Sequence, residues 1–328
     1  MIIIKPSYYK EFQCIAGDCP DSCCQGWEVD ADDASLQYYR TLDESLEIRH
    51  RIDRVLDRDE FGNTIFTLAA KKRCPFLNQE NLCDMHIAIG GEHTPYTCRT
   101  FPRFIYDFGG TREIGLSFSC PVAAKLIYHY QGHLTFEKEL NNDLPTLNDI
   151  DGLTYIKLKN ARDKAIALMQ QDSEGIAARL SALLRLAVDL QEELDSDYTE
   201  GGDSIAFLDV FRNPELINPE WRERVDHCAV KAVADNSANE QIAVYFLYKY
   251  FLQAVYDRDV LSKVKMAVLG VLINTYFGED DWTMHLWSKE TEHSQYNMDR
   301  YQRLLKSANC LSAAALEDRL RFDNTMII

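Results

Sequence analysis

FQCIAGDCPDSCCQGW, residues 12–27, sets Cys14, Cys19, Cys23 and Cys24 within sixteen positions. Gly17, Pro20 and Gly26 interrupt any regular period, so the stretch reads as loop. Cys74, Cys83, Cys98 and Cys120 follow, while residues 121–328 hold only Cys228 and Cys310. Thiolates are strong ligands for zinc and iron, and metal binding can order loops that lack a core of their own. The eight early cysteines are therefore candidate metal ligands. Two four-thiolate sites, one site with spares, and a multinuclear cluster all satisfy the count. Consecutive side chains diverge, so Cys23 and Cys24 share a site only if the backbone turns tightly. The spacing matches neither a ferredoxin run nor a pair of C-x2-C knuckles. His86 and His93 lie between cysteines and could replace a sulfur, or stand at the surface. Cys228 and Cys310 fall in helical patterns and read as core residues.

Outward from residue 27, the pattern turns helical over residues 32–58. Leu36, Tyr39, Leu42, Leu46, Ile48 and Ile52 recur at three- and four-residue spacings, and Asp32 or Asp33 can cap the start. A turn at 59–63 opens a short strand within 63–72, and 104–120 reads as a hairpin bending at Gly109 and Gly110. From Pro121 the composition becomes helix-forming, with helices expected at 121–133, 177–194, 221–235, 239–256, 262–277 and 294–308. The expected fold is mainly α. A loop-rich, cysteine-bearing metal domain with minor β occupies 1–135, and a helical bundle occupies 136–328.

The 52 acidic residues exceed the 35 basic ones, for a net charge of -17. That balance argues against a nonspecific nucleic-acid surface. No stretch is long and apolar enough to span a membrane, and residues 266–277 read as a buried helix. The opening MIIIKPSYY lacks a secretory cleavage pattern. A cytoplasmic protein with reduced or metal-bound thiols is expected. No G-x-G-x-x-G, P-loop, H-E-x-x-H or G-x-S-x-G motif is present. Arg99 and Arg103 accompany Cys98 in CRTFPR, where a guanidinium could offset thiolate charge, hold a ligand's carboxylate, or make an ordinary salt bridge. Trp27, Phe76, Phe101 and Phe104 would wall the metal centre or form the small domain's core.

PSYYKEFQCIAGDCPDSCCQGWEVDAD (6–32) resembles the opening of the flagellin lysine-N-methylase family, in the order Phe12, Cys14, Cys19, the Cys23–Cys24 pair, Gly26 and Trp27. CPFLNQENLCDMH (74–86) and CRTFP (98–102) resemble the wider class of zinc- or iron-chelating cysteine-rich domains, and Cys120 closes the set. Residues 239–269 resemble the C-terminal part of the methylase family. The resemblance implies methyl transfer from S-adenosylmethionine to flagellin lysines in the bacterial cytoplasm, with an iron–sulfur centre; zinc is the alternative metal. Methyl transfer would use Arg99, and next Arg103, to hold the cofactor's carboxylate. Tyr245, Tyr248 and Tyr250 would line a substrate channel or pack their helix. The C-x3-C-x2-C signature of radical enzymes is not matched, since Cys24 follows Cys23 too soon. The competing function is a noncatalytic iron–sulfur or zinc carrier, sensor or protein-interaction module.

Overall fold

In the computed structural model, residues 1–59, 62–146, 149–212 and 215–322 are described. The helix Val260–Phe277 is apolar on every face and almost wholly buried. Contrary to the sequence reading, which took its apolar run as residues 266–277 and too short to span, this helix alone among the described residues has the length and composition to cross a membrane; 94% of it is buried inside the protein, as befits a core helix. The helices Ser237–Tyr250 and Ile176–Leu194 pack on it. Gly270 permits the first of these contacts. A Cβ there would meet the Phe246 ring at 2.5 Å and Ile242 at 3.0 Å. The fold is mainly α, as the helix-rich second half implies.

A four-stranded sheet accompanies these helices, in the order Arg103–Phe108, Thr111–Leu116, Ile2–Pro6, Phe136–Leu140. The first two form the expected hairpin. Ile2–Pro6 lies parallel to Thr111–Leu116, with Ile3 opposite Arg112, and antiparallel to Phe136–Leu140. A buried ion pair fixes the sheet to the helix Gly152–Met169. Arg162 donates to both carboxylate oxygens of Glu113, at 2.5 and 2.6 Å.

The chain forms two compact units. One is Gln13–Phe104 with Cys120–Val122. The other is Met1–Phe12, Ile105–Ser119 and Ala123–Ile328. Residues 1–12, 105–119 and 123–135, assigned by sequence to the cysteine domain, belong to the larger unit, where Ile2–Pro6 pairs with both Thr111–Leu116 and Phe136–Leu140. The smaller unit holds a three-stranded sheet, Val29–Asp30, Thr64–Phe66 and Leu56–Arg58, paired in that order. Its core joins Val29, Tyr39, Ile48, Ile52, Phe66, Phe76 and Met85 to Cys74.

The helical pattern over 32–58 divides into Asp33–Thr41 and Glu47–Val55. Asp32 caps the first, accepting from the Ser35 amide at 3.1 Å. Asp43 accepts from the Ser45 amide at 2.8 Å, and this local side-chain bond breaks the run. Of the turn at 59–63, Glu60 and Phe61 lie outside the described residues. The expected helix 221–235 is only Pro219–Asp226. That over 239–256 ends at Tyr250, followed by the short turns Phe251–Gln253 and Ala254–Asp257. The helices Gly152–Met169, Asp281–Glu292 and Ala313–Leu320 had no counterpart in the sequence reading.

Candidate metal centre

All eight early cysteines belong to the smaller unit, including Cys120, which enters it with Pro121 and Val122. Backbone pairing brings the outlying motifs together. The Cys74 amide donates to the Cys24 carbonyl at 2.8 Å, and the Gly26 amide donates to the Lys72 carbonyl at 2.9 Å. Gly26 has φ 100°, a left-handed conformation suited to glycine. Lys71 and Lys72 also have positive φ, at 60° and 53°, and strain of that kind collects at functional sites. A second tight loop sets Cys83 beside Cys74. Leu77 bridges to Cys83, and the Asp84 amide donates to the Phe76 carbonyl at 2.8 Å. Arg51 clamps this loop through Asp84 at 2.7 Å and the Pro75 carbonyl at 2.9 Å.

Six thiols are close enough to feel one another's charge. Cys23 senses Cys24, Cys98 and Cys120; Cys74 senses Cys24 and Cys83; Cys98 senses Cys24, Cys74 and Cys83. Two sulfurs also accept backbone N–H groups, Cys74 from Phe76 and Leu77, and Cys83 from Met85 and His86. Such donors favour the thiolate, the form that binds metal. The adjacent pair is polarised. The bond from Cys23 lowers the Cys24 thiol against the opposing effect of burial, helped by Ser22 and Arg73. Cys23 is correspondingly pushed up by that bond, by burial and by its neighbours' charges. Burial raises Cys74 to about 12 and also raises Cys83 and Cys98. Cys98 is exposed as a residue, yet its thiol is near enough to feel Cys24, Cys74 and Cys83.

Cys14 is exposed and its sulfur accepts from the Ala16 amide at 3.4 Å; the Cys19 thiol donates to the Asp21 carbonyl at 3.3 Å. None of the ten cysteines forms a disulfide. Among the described residues, no three His, Cys, Asp or Glu side chains stand together in metal-holding geometry. The thiols are thus neighbours, with no closed coordination sphere. The histidines pack elsewhere. His86 is exposed and covers Gly91, while His93 stacks on Tyr38 at 3.8 Å between ring centroids. Cys228 and Cys310 are half-buried, the first beyond the end of Pro219–Asp226 and the second in the turn Asn309–Leu311, so neither is a core residue in a helix.

Arg99 ties its own loop to the helix Asp33–Thr41, where Ser35 Oγ lies 3.5 Å from its Nη1. Its Nη1 donates to the carbonyls of Glu92, at 3.1 Å, and Thr94. Trp27 lies 6.2 Å from Phe101 and donates from Nε1 to the Cys23 carbonyl at 2.8 Å, while Phe76 is core. Tyr245, Tyr248 and Tyr250 are buried in the helical unit, with hydroxyls bonded to Lys249, to the carbonyls of Ile4 and Ile114, and to Glu292 respectively. They pack the helix. Sequence reasoning missed Arg51, Arg73 and Asp84; the one available signal was the basic Arg73 directly before Cys74.

The chain is 24% identical over 122 residues to the Flagellar biosynthetic protein FliU of Salmonella muenchen, covering 36% of this chain and 72% of that one. It is 26% identical over 123 residues to the Lysine-N-methylase of Salmonella typhimurium, covering 36% of this chain and 30% of that protein. The Lysine-N-methylase of Salmonella choleraesuis matches to the same extent. The chain thus spans under a third of the methylases' length. No family model matches the chain. No solved structure matches it either.

Proposed function

We propose that this chain is a protein-lysine N-methyltransferase with a thiolate-bound metal centre, acting on flagellin with S-adenosylmethionine as methyl donor, in the bacterial cytoplasm. The observation that carries the reading is the similarity to proteins named Lysine-N-methylase. The relative named as a flagellar biosynthetic protein supports a flagellar substrate.

The gathered thiols suit a soft metal. Cys24, Cys74, Cys83 and Cys98, with Cys23 and Cys120, would hold it, and Cys14 and Cys19 complete the candidate set from the same unit. An iron–sulfur centre would supply electron transfer, and zinc a structural tie. Thiols raised by burial give up their protons only against a metal, so binding and ordering of these loops would be coupled. Arg99 and Arg103, which follow Cys98 in the sequence CRTFPR, would hold the donor's carboxylate. With Nη1 committed to the loop, Arg99 would present its Nε–Nη2 edge. The acceptor lysine must lose its proton and meet the methyl group in line with the departing sulfur, so positioning supplies much of the rate.

The test is incubation of the metal-loaded protein with flagellin and isotopically labelled S-adenosylmethionine, followed by peptide mass spectrometry. Label on flagellin lysines is expected; metal-loaded protein that transfers none would sink the enzymatic reading. Arg99's engagement with its own loop favours a second reading, a noncatalytic metal carrier, sensor or interaction module. That reading expects no heat of binding with S-adenosylmethionine in calorimetry.

A further inference from the structure

We infer that Glu292 is a positioning residue for Cys120, because it fixes the three residues that lead into that cysteine. Ser117, Phe118 and Ser119 belong to the helical unit, and Cys120 is the next residue. Ser117 Oγ donates to Glu292 Oε2 at 2.5 Å and lies 2.8 Å from Ser119 Oγ. The Ser119 amide donates back to Ser117 Oγ at 3.1 Å. The Phe118 amide donates to the Tyr245 hydroxyl at 3.3 Å, its carbonyl lies 3.2 Å from His285 Nδ1, and its ring is fully buried against Tyr245. Immediately after Cys120 the chain enters the helix Pro121–Tyr128. Cys120 therefore follows directly on a segment fixed by side-chain bonds.

The hub of this arrangement is one carboxylate. Glu292 accepts from Lys249 Nζ at 2.6 Å, Ser288 Oγ at 2.8 Å and the Tyr250 hydroxyl at 3.3 Å, besides Ser117. Lys249 Nζ also donates to the Tyr245 hydroxyl at 3.1 Å, which ties the Phe118 anchor to the same charge. Burial pushes the Glu292 carboxyl up, but the Lys249 ammonium and the serine hydroxyls outweigh it and hold it below the usual range. These bonds are thus charge-assisted. A buried ion pair adds little net stability over an apolar pair of equal volume. Stability alone does not explain so many polar groups here; a single fixed geometry for the 117–119 segment does.

The test uses the full chain, free of metal, and compares alkylation rates of individual cysteines by iodoacetamide and peptide mass spectrometry. Cys120 and Cys74 are equally exposed, at 8%, so Cys74 is the internal control. In Glu292→Gln the Cys120 rate should rise about tenfold, the loss of one charge-assisted bond's worth of restraint, while Cys74 stays within about twofold of wild type. If that variant fails to fold, Ser117→Ala removes one donor and carries the same comparison. An unchanged Cys120 rate, or Cys120 and Cys74 rising together, would overturn the inference. A second readout rests on the metal reading: Glu292→Gln should release bound iron or zinc to a chelator faster than wild type, and equal release rates from metal-loaded protein would also count against the role. Wild-type protein that holds no metal would defeat the metal reading alone, since the alkylation comparison would still decide the role of Glu292.

Discussion

Replacing Glu113 by Gln should destabilise the helical unit severely. Glu113 is 1% exposed and the Arg162 side chain 4%, and two short bonds join them. Arg162 also donates to the Tyr248 carbonyl at 3.4 Å and sits 5.4 Å from the Tyr248 ring centroid. Gln preserves the shape of the carboxylate but not its charge. The guanidinium then stays buried with only a carbonyl, an amide and a ring to compensate it. Breaking a buried pair in this way costs about 3–5 kcal/mol, out of a typical total of about 5–15 kcal/mol. The loss is worse because Arg162 Nε is already buried without an acceptor. Urea denaturation followed by far-ultraviolet circular dichroism, with the metal state held equal, would read the change. The double variant Glu113→Leu/Arg162→Met should recover most of the loss, because an apolar pair of similar bulk carries no desolvation penalty. A single variant within about 1 kcal/mol of wild type, or a double variant as weak as the single, would refute this reasoning.

Gly270→Ala should cost about 1–3 kcal/mol, because the new methyl has nowhere to go between Phe246 and Ile242; unchanged thermal stability would show that the two helices can part without penalty. His133 lies 2.9 Å from Glu240 and 3.8 Å from Asp172, and the Glu240 bond raises its pKa against slight desolvation. A raised pKa means that its contribution is fully present below the unfolded value and is lost as pH rises through the folded one. The side chain is 47% exposed, so solvent screening limits the effect to under about 1 kcal/mol. His133→Gln should therefore be less stable than wild type at about pH 6 and equal to it at about pH 9, and a difference that persists at the higher pH would contradict the ion-pair origin.

What could be read from sequence was whatever depends on near neighbours. The helix Val260–Phe277 announces itself because its apolar residues leave no polar face. The Asp32 cap and the bend at Gly109 and Gly110 are likewise local signals. The strand Ile2–Pro6 escaped because its partners lie at residues 111–113 and 136–140, and nothing in IIIKP names them. The helix Gly152–Met169 escaped because buried Arg162 interrupts its apolar positions. Clustering along the chain marked the eight cysteines, but not which would meet. The approach of Cys24 to Cys74 depends on backbone bonds between residues 24–26 and 72–74, which spacing does not encode. Nor does it reveal that Arg99 is taken up by the Glu92 and Thr94 carbonyls, which carry no side-chain signature, and by Ser35.

The most direct measurement is metal and acid-labile sulfide analysis of the full chain prepared without oxygen, beside Cys24→Ser, Cys74→Ser and Cys228→Ser. Iron with sulfide, or zinc, should accompany the wild type and Cys228→Ser and be depleted from the other two. Wild-type protein that emerges folded and metal-free, with every early thiol open to titration, would contradict the claim that these cysteines serve one inorganic centre.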